Sequence, residues 1–221
     1  MADHPNPRIS SRKEPKQARS TELVATILEA AIQVLAEEGA QRFTTARVAE
    51  KAGVSIGSLY QYFPNKVAIL FRLQSDEWRQ TTEMFSSILG DVSRPPLKRL
   101  RMLVHAFVRS ECDEAAVRVA LDDAAPLYRD APEAQDARAE ADLIFEAFLR
   151  EVLSEAPDAT RNLVGDLIMT TMSTVGKQFS ETPRTTSEIE AYADAMADLF
   201  CAYLSRHQSQ PDLAQGGNSL V

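Results

Sequence analysis

From Ala52 the chain reads AGVSIGSLYQYFPNK, a short stretch in which hydroxyls, an amide and a cation crowd where a small buried helix would be apolar. Ser55, Ser58, Tyr60 and Tyr62 carry hydroxyls that donate to phosphate oxygens, and Gln61 carries an amide able to read an adenine edge. Ile56 beside Gly57 offers a contact for a thymine methyl without blocking close approach. Lys66 follows Asn65, where a helix N-terminus already favours an anion. These residue types at this spacing suit recognition of a nucleic-acid duplex. The plainer alternative is that Tyr60 and Tyr62 are core aromatics.

Other chemistries lack their groups. The histidines are His4, His105 and His207, and no E-x-x-H or H-E-x-x-H spacing brings any of them to a metal site. Neither G-x-x-x-x-G-K-[ST] nor G-x-G-x-x-G occurs, so no glycine loop cradles a nucleotide. Asp122 and Asp123 are adjacent, and neighbours on a helix point apart, which makes them a poor acid/base pair. Cys112 and Cys201 have no C-x-x-C spacing and are expected to be reduced, buried thiols. No cofactor, metal or enzyme activity is expected.

The elements that must position the polar stretch are helical. Val24, Ile27, Leu28, Ala31, Val34 and Leu35 share one face of a helix that Ser20 or Thr21 can cap and Gly39 can end. A short second helix follows Thr44, with Val48, Ala49 and Ala52 inward, and closes near Gly53. Ser55 can cap a third, which must stop by Phe63 because Pro64 removes a donor. Two short helices joined by A-G-V-S have the anatomy of a helix-turn-helix, with Ile56, Gly57, Ser58, Tyr60, Gln61 and Tyr62 outward. Asn65 then caps a long helix towards Gly90.

Beyond Pro95 and Pro96 apolar residues recur at helical spacing around Leu97–Val108, Ile144–Val152, Val164–Phe179 and Ile189–Tyr203. No strand pattern competes. Through Arg72 there are ten basic and seven acidic residues, and beyond it fourteen and twenty-five, so a mildly basic front joins an acidic body. Residues 1–19 read as a disordered basic arm and 208–221 as a flexible tail. The N-terminus lacks the apolar stretch of a secretory signal and no apolar run is long enough to span a bilayer, so a cytoplasmic protein is expected.

Over residues 20 to 72 the run FTTARVAEKAGVSIGSLYQYFPNKVAIL resembles the DNA-binding signature of the TetR/AcrR family of bacterial regulators, in its T-T-x-x-V-A, A-G-V-S, G-S-L-Y-x-Y-F and N-K elements. The resemblance implies an all-α protein: an N-terminal three-helix DNA-binding domain over 20–63 and a helical ligand-binding and dimerisation body over 64–207. It implies that Thr45, with Arg47 beside it, contacts phosphate. It implies further that Ser55, Ser58, Tyr60, Tyr62 and Lys66 anchor phosphates, leaving Ile56, Gly57 and Gln61 for bases. Where some members carry an arginine this chain has Ala46, which removes a guanine contact.

The expected function is a homodimeric repressor released from a palindromic operator by a small hydrophobic or aromatic ligand. An architectural or division-control protein without an effector is the alternative, favoured if the body core is filled rather than hollow. The pocket is expected between the long helix from Asn65 and the next four. Its candidate walls are Trp78, Phe85, Leu103, Phe107, Phe145, Phe148, Met169 and Met172, with His105 or Arg109 as a polar contact, or else these residues simply fill the core. In this reading a ligand tilts the long helix and so resets the spacing of the recognition helices. Dimerisation is expected through the Val164, Ile168, Met172, Val175 and Phe179 face and the Ile189–Leu204 stripe, with ordinary core as the alternative.

Overall fold

A computed structural model describes residues 18–128 and 132–208, and every regular element among them is helical. In chain order these are α1 (Ala18–Arg42), α2 (Thr45–Lys51), α3 (Ile56–Tyr62), α4 (Lys66–Leu89), α5 (Pro96–Asp113), α6 (Ala115–Ala124), α7 (Pro132–Val152), α8 (Asp158–Ser180) and α9 (Thr186–Gln208). A 3-10 turn, Ala125–Leu127, follows α6. Of the expected arm over 1–19 and tail over 208–221, residues 1–17 and 209–221 lie outside the described residues, while Ala18 and Arg19 belong to α1 and Gln208 ends α9. Among the described residues no helix is long and apolar enough to cross a membrane.

Local chemistry sets the first four helices. In α1, Gly39 takes φ 72, so regular geometry breaks at the expected glycine and resumes as a kinked turn to Arg42. Thr44 has extended backbone and its hydroxyl accepts from Arg47 N at 3.3 Å, opening α2. Ser55 does the same for Ser58 N at 3.1 Å, opening α3. Each such cap contributes about 1 kcal/mol. Between them Gly53 takes φ 66, a left-handed residue that lets the chain turn sharply enough to pack α3 on α2. Asn65 Oδ1 accepts from Ala68 N at 2.9 Å and starts α4.

Packing divides the chain into two compact units. The first runs to Gln80 and takes up the chain again from Glu114, so α6 and the turn after it join α1 to α3 and the first part of α4. Its core interlocks Ile27, Ala31 and Leu35 of α1 with Phe43, Val48, Leu59, Phe63 and Ile69, and with Leu121 and Tyr128. Tyr128 is buried, and its hydroxyl donates to Gln74 Oε1 at 3.2 Å and Leu121 O at 3.1 Å. The motif-based boundary at Phe63 therefore falls inside a packing unit. Asp122 and Asp123 are exposed on α6, a helix that no distinct periodic run had announced.

The second unit holds Thr81–Asp113 and the chain from Ala139 on. Its core is built from Phe85 and Leu89, the Leu100–Val108 face of α5, Phe145 and Phe148, the Val164–Met172 face of α8 and the Ile189–Leu204 stripe of α9. Arg99, only 1% exposed, lies inside it. Its guanidinium donates to Leu89 O and to Glu151, and its Cζ stands 5.4 Å from the Phe148 ring centroid. Both cysteines are free and half-buried, and burial raises the pKa of each thiol.

Candidate nucleic-acid interface

The fold gives α3 an inward and an outward side. Leu59, Tyr62 and Phe63, spaced three and four apart, enter the core of the first unit. Ile56 and Tyr60 remain 41% and 40% exposed, and Gly57 and Gln61 are exposed with them. Tyr62 departs from the expected outward set. It is 8% exposed because its position follows Leu59 by three residues and turns the ring into the same apolar seam.

The hydroxyls are organised rather than scattered. Thr45 Oγ1 and Tyr60 Oη lie 3.1 Å apart, a hydrogen bond from the first turn of α2 to the outer side of α3. Ser55 Oγ and Ser58 Oγ share a 2.8 Å hydrogen bond, so the capping serine and its neighbour are oriented together. The Thr45–Tyr60 pair is invisible to sequence reasoning, because its members are fifteen residues apart and meet only through the turn. Lys66 opens α4, half-buried, one residue past the Asn65 cap. Arg47 is engaged with α1: it ion-pairs with Glu38 and donates to Arg42 O at 3.4 Å. Ala46 beside it is exposed.

Gly57 is informative because the fold does not need it. A Cβ built there meets only Ser55 Oγ, at 3.8 Å, and its backbone is not left-handed. Glycine in a helix costs about 0.5–1 kcal/mol relative to alanine. An exposed helical glycine with room for a side chain is explained by something approaching from outside. With no charged side chain on α3 and hydroxyls at both its ends, the surface presents short donors around an apolar and amide centre.

The body candidates separate into three places. Trp78 packs against the core of the first unit. Phe85, Leu103, Phe107, Phe145, Phe148 and Met172 are buried in the second unit, with Phe85–Phe145 and Phe145–Phe148 centroids 6.3 and 5.8 Å apart. His105 Nε2 lies 3.0 Å from Asp194 Oδ1 and Arg109 3.5 Å from Glu190, so both polar candidates pair with α9. Met169 is half-buried and, with one side of Phe145, lines an open groove of about 900 Å³ between α7 and α8. The groove went unnoticed in the sequence because its walls are polar.

Comparison with known proteins matches two stretches of the chain. Residues 27–73 fit the model of the bacterial regulatory proteins of the tetR family. Residues 95–207, about half the chain, fit that of the tetracyclin repressor-like C-terminal domain. Similar relatives include the nucleoid occlusion factor SlmA of Vibrio campbellii, 36% identical over 83 residues that are 37% of this chain and 42% of that protein. The fatty acid metabolism regulator protein of Bacillus subtilis is 39% identical over 57 residues, 26% of this chain and 29% of that protein. Each match thus spans less than half of the relative. In fold, the chain is similar to the fatty acid degradation regulator FadR of Bacillus halodurans, with TM-score 0.65 at 19% identity over 85% of this chain and 97% of that one. FadR of Bacillus subtilis, solved in complex with stearoyl-CoA, gives TM-score 0.65 at 18% identity over 81% and 98%.

Proposed function

The chain belongs to the TetR family of bacterial regulatory proteins, and from that premise we propose that it is a repressor whose α3 enters the major groove of an operator and whose body binds a small ligand that releases it. The observation that carries the DNA reading is the outward side of α3: Ile56, Gly57, Tyr60 and Gln61 are exposed together, and no contact within the fold requires the glycine. Gln61, Ile56 and Gly57 address bases; Thr45, Ser55, Ser58, Tyr60 and Lys66 hold phosphates. Arg47 joins them by exchanging Glu38 for a phosphate, and Tyr62 contributes through its hydroxyl edge alone.

The protein acts as a homodimer in this proposal, because two half-sites presented to one side of a duplex need two copies of α3. The contact surface in this reading lies on the two helices that the sequence suggested, and it keeps Leu199 of the expected stripe. Val164, Ile168 and Met172 are core, whereas Leu163 and Leu167 on α8 are 62% and 47% exposed and Leu199 on α9 is 61% exposed. Ala191, Ala195 and Ala202 are exposed on α9 with Leu199, small enough for helices to approach closely.

Ligand response is carried by the α7/α8 groove rather than by an enclosed cavity. The residues of α4 divide between the two units, which makes it one of the covalent routes from body to DNA-binding helices. An effector that lowers DNA affinity about a hundredfold must bind the DNA complex about a hundredfold more weakly, roughly 2.7 kcal/mol of coupling. A division-control role without an effector is the less favoured reading, since the partial relatives include metabolic regulators as well as SlmA. The test is gel-shift titration of the full chain on DNA flanking its gene, with Gln61→Ala and Lys66→Ala beside it. Unaltered binding by both variants would refute α3 as the reader.

A further inference from the structure

Two of the hydroxyls assigned to phosphate are bonded to each other, and that bond limits what each can do. Thr45 opens α2 and Tyr60 lies on α3, and their oxygens, Oγ1 and Oη, are 3.1 Å apart. A hydroxyl has one hydrogen to donate and two lone pairs with which to accept. The pair therefore holds two hydrogens, its mutual bond spends one, and at most one is left for an oxygen of DNA. Separate phosphate contacts from the two side chains would require the bond to break.

Exposure and acidity set the direction of the bond. Tyr60 is 40% exposed on the outward side of α3, whereas Thr45 is half-buried at the first position of α2. The phenol, with an ordinary pKa of about 10, is the more acidic of the two hydroxyls and so the stronger donor. Its hydrogen is the one that gains most from an anion outside the fold. Thr45 then donates to Tyr60 Oη, and an oxygen that accepts a hydrogen bond is polarised to donate a stronger one. The ring is exposed enough that packing alone does little to fix its oxygen, and the bond from α2 supplies that restraint.

We propose that Thr45 is a positioning residue for DNA recognition: it holds and polarises the Tyr60 hydroxyl, which grips one backbone phosphate on behalf of both helices, and does not touch the duplex itself. The proposal rests on the DNA reading above and assigns Thr45 its part within it. Phosphate grip is then shared across the turn, and α3 meets the backbone with a donor whose orientation is set by α2.

A double-mutant cycle tests this, read by fluorescence anisotropy of the full-length protein on the duplex it enriches from a random library. Tyr60→Phe keeps the ring and removes the donor; one hydrogen bond to a charged group lost in each of two copies sets the expected loss at about a hundredfold in Kd. Thr45→Val keeps the side-chain shape and removes the orienting bond, for an expected loss of about tenfold. The double variant is expected to bind as Tyr60→Phe does, because Thr45 then has nothing to position. Thr45→Ser keeps the hydroxyl and is expected to bind within about twofold of the parent. Thr45→Ala repeats the cycle with a second residue that lacks the hydroxyl.

A methylphosphonate placed at each backbone position of the duplex in turn adds a readout that loosened packing would not move. Tyr60→Phe and Thr45→Val are expected to lose their effect at the same position in each half-site. A double variant weakened by the product of the single losses, about a thousandfold, means that Thr45 grips phosphate for itself and overturns the proposal. Two different methylphosphonate positions, or Thr45→Val and Thr45→Ala proteins that bind like the parent, overturn it equally. Binding that Tyr60→Phe leaves untouched overturns the proposal and leaves base reading by Gln61 standing, whereas a parent that enriches no duplex overturns the DNA reading and the proposal with it.

Discussion

Replacing Gly57 by alanine should move stability and DNA affinity in opposite directions. Within the folded chain the new methyl meets only Ser55 Oγ at 3.8 Å, an ordinary contact, so no strain opposes it. Alanine in place of glycine in the first turn of α3 should add about 0.5 kcal/mol, a rise of about 1–2 °C in Tm. On DNA the same methyl holds the duplex off by more than an ångström at the point of closest approach. If each recognition helix thereby loses the equivalent of one hydrogen bond, about 1 kcal/mol, a dimer loses about 2 kcal/mol, roughly thirtyfold in Kd. Thermal unfolding followed by circular dichroism reads the first effect, and anisotropy of a labelled operator reads the second. A Gly57→Ala protein that binds operator as tightly as the parent refutes the close-approach argument, and one that unfolds earlier refutes the claim that the fold does not need the glycine.

Lys66→Ala should weaken all duplexes alike and reduce the salt slope by about one, whereas Gln61→Ala should relax preference at one base pair per half-site by about 1–3 kcal/mol; competition titrations at several salt concentrations separate the two. Leu163→Asp with Leu199→Asp should give helical monomers that no longer bind operator, measured by sedimentation, and a folded dimer would refute the α8/α9 surface. Met172→Asp, by contrast, should unfold the second unit, because Met172 is 1% exposed. Arg99→Ala should cost about 1–3 kcal/mol in urea unfolding, since it leaves the buried Leu89 O without its donor while Glu151, 47% exposed, returns to water.

The DNA-binding half was largely legible because its signals are local. Thr44, Ser55 and Asn65 each cap a helix within three residues of themselves, and Gly53 imposes a turn that only its own backbone has to satisfy. What escaped was non-local. Tyr62 could not be placed by type, since tyrosine serves a surface or a core, and only its register with Leu59 decides. In the body, apolar periodicity told which residues point inward but not whether the interior is hollow. Phe85, Phe107 and Phe148 suit a pocket wall and a packed core alike, and all three are buried in the second unit. The groove was hidden for the opposite reason: Asp142, Glu146 and Asp166 look like any solvated helix face until α7 and α8 are brought together. Leu163 was masked by the stronger apolar residue Val164 beside it, whereas Leu199 was already part of the expected α9 stripe.

The most direct test of a repressor that reads DNA through α3 is selection of binding duplexes from a random library by the full-length protein, repeated with Gln61→Ala and Tyr60→Ala. The account predicts an enriched inverted repeat with half-sites about one helical turn or a multiple apart on one side of the duplex. Gln61→Ala should lose discrimination at one symmetric pair of positions, while Tyr60→Ala should enrich the same repeat more weakly. Enrichment of no sequence, or of an identical repeat with undiminished preference by both variants, would contradict it.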